Sequence, residues 1–185
     1  MVLPGHLASG YLVTTAILHF SGLDFSHNQT IALYIIGTLA GEGPDIDLFR
    51  YYFDNLPSRK KKDVVANHRI YFTHAPVVWL LFSLAIVAIG SILNSQFVST
   101  VGWLILAGSW SHFIFDSIES GIAWLWPYSH KRYCIHEFVE RDIPGQKGTF
   151  AYYWKFLTGD WTKMWVFYVE VIVTLIALWV FLGSL

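Results

Sequence analysis

Polar and apolar residues in this 185-residue chain are sorted into long blocks, with no short strand-like alternation. Five apolar stretches stand out, at about 7–20, 30–40, 75–93, 100–126 and 164–182. A helix rises about 1.5 Å per residue, so roughly 20 apolar residues cross the hydrocarbon core of a bilayer. The last three stretches are long enough to do so. The first two are short, and either cross at a tilt or form a hairpin that does not pass fully through. The pattern predicts an all-α fold, an integral membrane bundle of about five helices. It forms a single transmembrane domain over 1–185, with an interfacial region at about 128–160.

Composition agrees with this reading. The chain is 55% hydrophobic and 14% charged, where a soluble domain carries about a quarter charged residues. The net charge of −1 gives no global attraction for nucleic acid, and none is expected as a partner. Cys134 stands alone, so no intramolecular disulfide can form. Residues 1–5 lack the positive region of a signal peptide, and no cleavage is expected.

Charge also orients the bundle. All 12 Lys and Arg fall in two regions, Arg50 to Arg69 and Lys131 to Lys163, while the turns near Asp24 and Asn94 carry none. If all five stretches cross, the two basic regions share a side. The positive-inside rule then places them and the N-terminus in the cytoplasm and the C-terminus outside, in a multi-pass protein of the plasma (inner) membrane. Trp154, Trp161, Trp165, Tyr128, Tyr152 and Tyr153 suit an aromatic belt on the cytoplasmic side, and membrane lipids are the expected surroundings.

Ionisable residues beside membrane helices are costly and usually face a partner or a watery cavity. Ser109, His112, Asp116 and Glu119 are spaced by three, four and three, one stripe on an otherwise apolar helix. His112 and Asp116 can point at one centre, or form a hydrogen-bonded pair that locks two helices. Gly41-Glu42-Gly43-Pro44-Asp45-Ile46-Asp47 puts two carboxylates on a turn that can aim both at a hard cation; an ordinary solvated turn is the bland alternative. His68-Arg69-Ile70-Tyr71-Phe72-Thr73-His74-Ala75-Pro76 places His74 at the start of the third helix, with Thr73 read as N-cap and Pro76 as first-turn proline. His6, one turn before Ser9 and Gly10, opens the first helix.

The force of these signals lies in the topology. His6, Asp45, Asp47, His68, His74, His112 and Asp116 come from four segments, and the charge-derived arrangement sets each at the cytoplasmic end of its helix. Mixed imidazole and carboxylate ligands suit a divalent metal (zinc, with manganese or iron as alternatives), and seven candidates suffice for one or two ions. A catalytic site would also keep a position open for water, whose pKa the metal lowers towards neutrality.

These motifs, in this order, resemble a family of membrane-bound metal-dependent hydrolases named for regulation by the LexA repressor, formerly a domain of unknown function. That family is distantly similar to zinc-dependent phospholipase C. The matching residues are His6, Gly43-Pro44-Asp45-Ile46-Asp47, His68-Arg69 with Thr73-His74, and His112-x-x-x-Asp116, followed by Gly121 and Trp124-Leu125-Trp126-Pro127. Family members often carry glycine where this chain has Ile70. The resemblance implies an inner-membrane hydrolase and leaves its substrate open. The leading expectation is an enzyme cleaving a phosphoester, on a lipid or a small molecule, by a metal-bound hydroxide. Expected catalytic residues are Asp45, Glu42 as ligand or general base, and Arg69 on a phosphate oxygen. Two alternatives stay open: a metal-ion or proton-coupled transporter, since His/Asp pairs also mark ion pathways, and a non-enzymatic scaffold with a structural metal. Against a carrier, there is no inverted repeat and no ionisable ladder to the outer side.

Other residues fit less demanding roles. Glu119, His130, His136 and Glu137 are candidates for the edge of the site, and Glu170 for packing or snorkelling. His19 and His27 fall at the opposite side. Lys60-Lys61-Lys62 reads as a topology determinant that contacts anionic lipid.

Overall fold

Local capping explains why the helices start where they do. Ser26 accepts from the Gln29 amide while Gln29 Oε1 accepts from the Ser26 amide at 3.0 Å, a reciprocal capping box. The helix it opens begins at His27, three residues ahead of the apolar stretch at 30–40. The computed structural model describes residues 3–54, 69, 71–118, 121–135, 158–159 and 161–184. Among the described residues there are six α-helices: α1 (Leu3–Ser21), α2 (His27–Ala40), α3 (Asp47–Asp54), α4 (Pro76–Ile92), α5 (Gln96–Asp116) and α6 (Trp165–Gly183). No strand occurs among the described residues, only an isolated bridge between Ile122 and Tyr133.

Several further features differ from expectation. Helix α1 begins at Leu3 instead of about residue 7, because Pro4, Gly5 and His6 are helical without being apolar. The short amphipathic α3 was not foreseen. The helix expected over 100–126 starts at Gln96, where Ser95 accepts from the Val98 amide, and stops at Asp116. Beyond it Gly121 takes φ 74°, and the Ile122 and Tyr133 amides and carbonyls pair at 3.0 and 2.9 Å. Ile135 then donates to the Ser117 carbonyl at 2.7 Å. The apolar residues of this return packed region serve as cover: Ile122 is buried, and Trp124 stands edge-on to Trp110 and Phe113. Of the expected interfacial region, only 128–135 and 158–159 lie within the described residues.

Helix α5 is the centre of the bundle, touching α1, α2 and α4, while α6 packs on α1. The interior mixes a few large apolar side chains, Leu33, Leu104 and Phe113, with many small and polar residues. A Cβ on Gly108 would sit 2.8 Å from Ala40 Cβ, and one on Gly10 would sit 2.7 Å from the Thr38 carbonyl oxygen. Only glycine lets α1, α2 and α5 approach that closely. Thr14, Ser109 and Ser111 are buried and return their hydroxyls to carbonyls of their own helices. The exterior is apolar. Ile31, Ile35 and Leu39 on α2, Leu81 and Ile89 on α4, and Leu175, Trp179 and Leu182 on α6 all face outward. An apolar surface around an interior rich in small and polar residues is what lipid as solvent favours, and it defines an integral membrane helical bundle. Among the described residues, α5 and α6 are long and apolar enough to span, and α4 is a shorter apolar helix of 17 residues.

Candidate metal centre

Four elements deliver polar side chains to one end of the bundle. His6 stands in the first turn of α1. The chain leaving α2 forms a 3-10 turn, Gly43–Ile46, with Pro44 in its first turn; it buries Asp45 and leads into α3, whose first residue is Asp47. A second 3-10 turn, Phe72–His74, precedes α4 and buries His74. His112 and Asp116 face the same point from the last turns of α5, and neither is exposed.

The distances are those of a closed cluster. His74 Nδ1 lies 3.0 Å from Asp47 Oδ2, and its Nε2 lies 3.3 Å from Asp116 Oδ2 and 3.4 Å from His112 Nε2. His112 Nε2 is 3.6 Å from both Asp45 Oδ1 and Asp116 Oδ2. His6 Nε2 is 3.5 Å from Asp116 Oδ1, and the His6 and His112 rings stack with centroids 3.8 Å apart. Three overlapping triads result: His6–Asp45–His112, His74–His112–Asp116 and Asp45–Asp47–His74, each with its ligand atoms within 4.8 Å of one another.

The hydrogen-bond pattern fits a cation. His112 Nδ1 donates to the Gly41 carbonyl at 2.9 Å, since a carbonyl can only accept. In a neutral imidazole this leaves a lone pair on Nε2, aimed at two carboxylate oxygens and a second imidazole nitrogen. Such acceptors repel unless a cation or a proton lies between them. Neither ring nitrogen of His6, nor Asp47 Oδ1, has a hydrogen-bond partner, although all are buried. Buried polar atoms seldom stay unmatched. The donor set therefore fits a divalent metal, with a backbone carbonyl fixing the tautomer of His112 as such partners do around metals.

The surroundings tune the charge. Burial by itself lowers the pKa of His74, but hydrogen bonds to Asp116 and Asp47 outweigh it and raise it to about 9. Burial, then the charges of Asp45 and Asp116, push Glu42 up to about 8, and its Oε2 is buried without a hydrogen-bond partner. Arg69 Nε donates to Asp116 Oδ2 and so faces the cluster.

Of the sequence candidates, the structure brings together His6, Asp45, Asp47, His74, His112, Asp116 and Arg69, with Glu42 beside them. His68, Glu119, His136, Glu137 and Lys60-Lys61-Lys62 lie outside the described residues. His130, His19 and His27 are exposed. Thr73 does not cap α4; the N-cap is Ala75, with no side-chain bond, and Thr73 Oγ1 instead donates to Asp47 Oδ2 at 3.1 Å. Thr73 lies two residues before that N-cap, inside the 3-10 turn, where its hydroxyl meets Asp47 instead of the first amides of α4. Trp79 was missed: its indole donates to the Thr73 carbonyl at 2.7 Å while its ring packs on Gly43, so it clamps the two 3-10 turns together. Its place on the face of α4 one turn in from Pro76 was the available signal. The Gly41 carbonyl bonded to His112 had none, since a backbone group leaves no trace in sequence.

A membrane-embedded helical protein with a buried His/Asp cluster is thus the class this geometry defines. The chain belongs to the YdjM inner membrane protein family, whose model matches residues 1–184. No curated protein and no solved structure matches it.

Proposed function

We propose that the chain is a multi-pass metal-dependent hydrolase whose site opens at the cytoplasmic face of the inner membrane, with the N-terminus inside and the C-terminus outside. The observation that carries this reading is the convergence of His112 Nε2 on Asp45, Asp116 and His74 while its Nδ1 is held by the Gly41 carbonyl. His6, Asp45, Asp47, His74, His112 and Asp116 would hold one or two ions, with zinc the best match to mixed imidazole and carboxylate donors; His68 remains a candidate from sequence alone. A bound ion supplies Lewis acidity and a nucleophile from water at neutral pH.

The protein's own groups do the rest. Glu42, with its raised pKa, is suited to take a proton near neutral pH and pass it to a leaving group. Arg69 can shift between Asp116 and a phosphate oxygen, which its planar guanidinium suits. Among the described residues, Asp45, Asp47 and Asp116 outnumber the positive charges of Arg69 and protonated His74, an excess of negative charge that favours a divalent cation, and an apolar exterior keeps the site beside lipid headgroups. The reading is therefore phosphoester hydrolysis, with a lipid or small phosphodiester as substrate.

The test uses protein purified in detergent without chelators. Elemental analysis should find between one and two equivalents of transition metal per chain, and protein supplied with Zn²⁺ or Mn²⁺ should cleave a generic phosphodiester or a phospholipid. Asp45→Asn should abolish turnover while lipid binding persists. Metal flux in proteoliposomes that needs His112, with no hydrolysis across a broad phosphoester panel, would replace the enzyme with a transporter. A reporter fused after Leu185 should register outside, and one inserted near Ser58 the cytoplasm; agreement between the two overturns the orientation.

A further inference from the structure

Glu170 is a carboxylate on α6, a helix otherwise made of apolar and aromatic residues apart from Thr174, and it is 2% exposed. Its Oε1 accepts from the Gly5 amide at 3.0 Å, a buried bond between residues 165 apart in sequence. Gly5 is in the first turn of α1, where the leading amides have no partner within the helix. Residues 1–5, Met-Val-Leu-Pro-Gly, offer no Ser, Thr, Asp or Asn to cap them. A bare amide buried in a membrane bundle is costly. The negative carboxylate also meets the positive end of the helix dipole.

The next residue is His6. Neither ring nitrogen has a hydrogen-bond partner; the ring stacks on His112, approaches Asp116 Oδ1 at 3.5 Å, and is otherwise placed by the backbone that carries it. The direction of the His6 nitrogens towards Asp116 thus depends on where the first turn of α1 is held. We infer that Glu170 is a positioning residue for the candidate metal centre: from α6 it caps α1 in trans and fixes His6 against His112 and Asp116. This rests on the metal-centre reading above. It also gives a role to the last helix, which contributes no candidate ligand.

The test compares Glu170→Met, which keeps the bulk and removes the acceptor, with Glu170→Gln, which keeps an acceptor oxygen. Full-length protein in detergent is titrated with Co²⁺ and followed by its visible spectrum, and amide exchange is measured over residues 3–10. Glu170→Met should weaken Co²⁺ binding by about 10–100-fold, the range found for outer-shell partners of metal ligands, alter the spectrum, and speed exchange in the first turn of α1. Glu170→Gln should restore most of both. Unchanged exchange in Glu170→Met overturns the anchor whether or not metal binds. Faster exchange with unchanged Co²⁺ affinity overturns the positioning role alone. Wild-type protein that takes up no Co²⁺ overturns the metal-centre reading, and the positioning role with it. Should Glu170→Met fail to fold, Glu170→Ala supplies the same comparison.

Discussion

Helices α5 and α6 are similar in length, 21 and 19 residues, and both are apolar enough to cross a bilayer, yet they live in opposite surroundings. Nine residues of α5 are buried, and Thr100, Ser109, Ser111, His112 and Asp116 are among them. Only Val166, Glu170 and Ala177 of α6 are buried, and Ile172, Leu175, Trp179 and Leu182 face outward. The mean hydropathy of the spanning window is 1.3 for α5 and 2.3 for α6. The comparison shows what polarity in a membrane helix records. A helix surrounded by neighbours on several sides can carry serine, histidine and aspartate, because protein atoms answer them. A helix that packs mainly on one other helix among the described residues is apolar over most of its surface, and its single carboxylate reaches that helix.

Substitutions in α5 should therefore be felt most at the cluster. His112→Ala and Asp116→Asn should each lower metal affinity by more than about 100-fold, beyond the range for outer-shell partners, while the protein stays extractable and helical. Full metal occupancy in the double variant would remove α5 from the site and dissolve the contrast with α6. Next in size is packing. Gly108→Leu would drive a side chain into Ala40 and the Gly37 carbonyl oxygen, which lies 2.9 Å from an added Cβ. It should cost about 1–3 kcal/mol, as overpacking does, and appear as a lower unfolding temperature. Wild-type stability would mean that α2 and α5 are not in close contact.

The pH dependence follows from His74, which sits outside the spans. Its pKa rises from 6.5 unfolded to about 9 folded. Its stabilising contribution to the metal-free protein is complete below pH 6.5 and disappears as pH climbs through 9. A metal must displace that proton, so affinity should rise by about tenfold per pH unit up to pH 9 when one proton is released. A pH-independent affinity would detach His74 from the ligand set. The smallest effect belongs to α6: Trp179→Leu, on its exposed face, should change stability by less than about 0.5 kcal/mol. A larger loss in monomeric protein would show that α6 has a neighbour beyond α1.

Much of this molecule is legible in sequence because a bilayer imposes simple demands. Long apolar blocks report spans, and ionisable residues within or beside them stand out against that background. His6, Asp45, Asp47, His74, His112 and Asp116 were all visible for that reason. Apolarity alone misjudged the residues after Asp116: among those described, 121–126 cover the bundle end as a folded return instead of extending α5. It also missed the start of α1, whose first turn is held by a carboxylate 165 residues away. Thr73 was misassigned because a hydroxyl before a helix usually caps it, and only the approach of Asp47 offered a better partner.

The chain by itself thus determined the all-α class, the approximate places of the apolar helices and the residue types that could gather at one end, since these follow from period, length and the cost of charge in lipid. Which nitrogen of His112 faces the carboxylates, which acid Arg69 meets and which helix sends a carboxylate to the Gly5 amide were decided only by tertiary structure. Each depends on a distance between segments far apart in sequence, or on a backbone carbonyl such as that of Gly41, which any residue at that position would also carry.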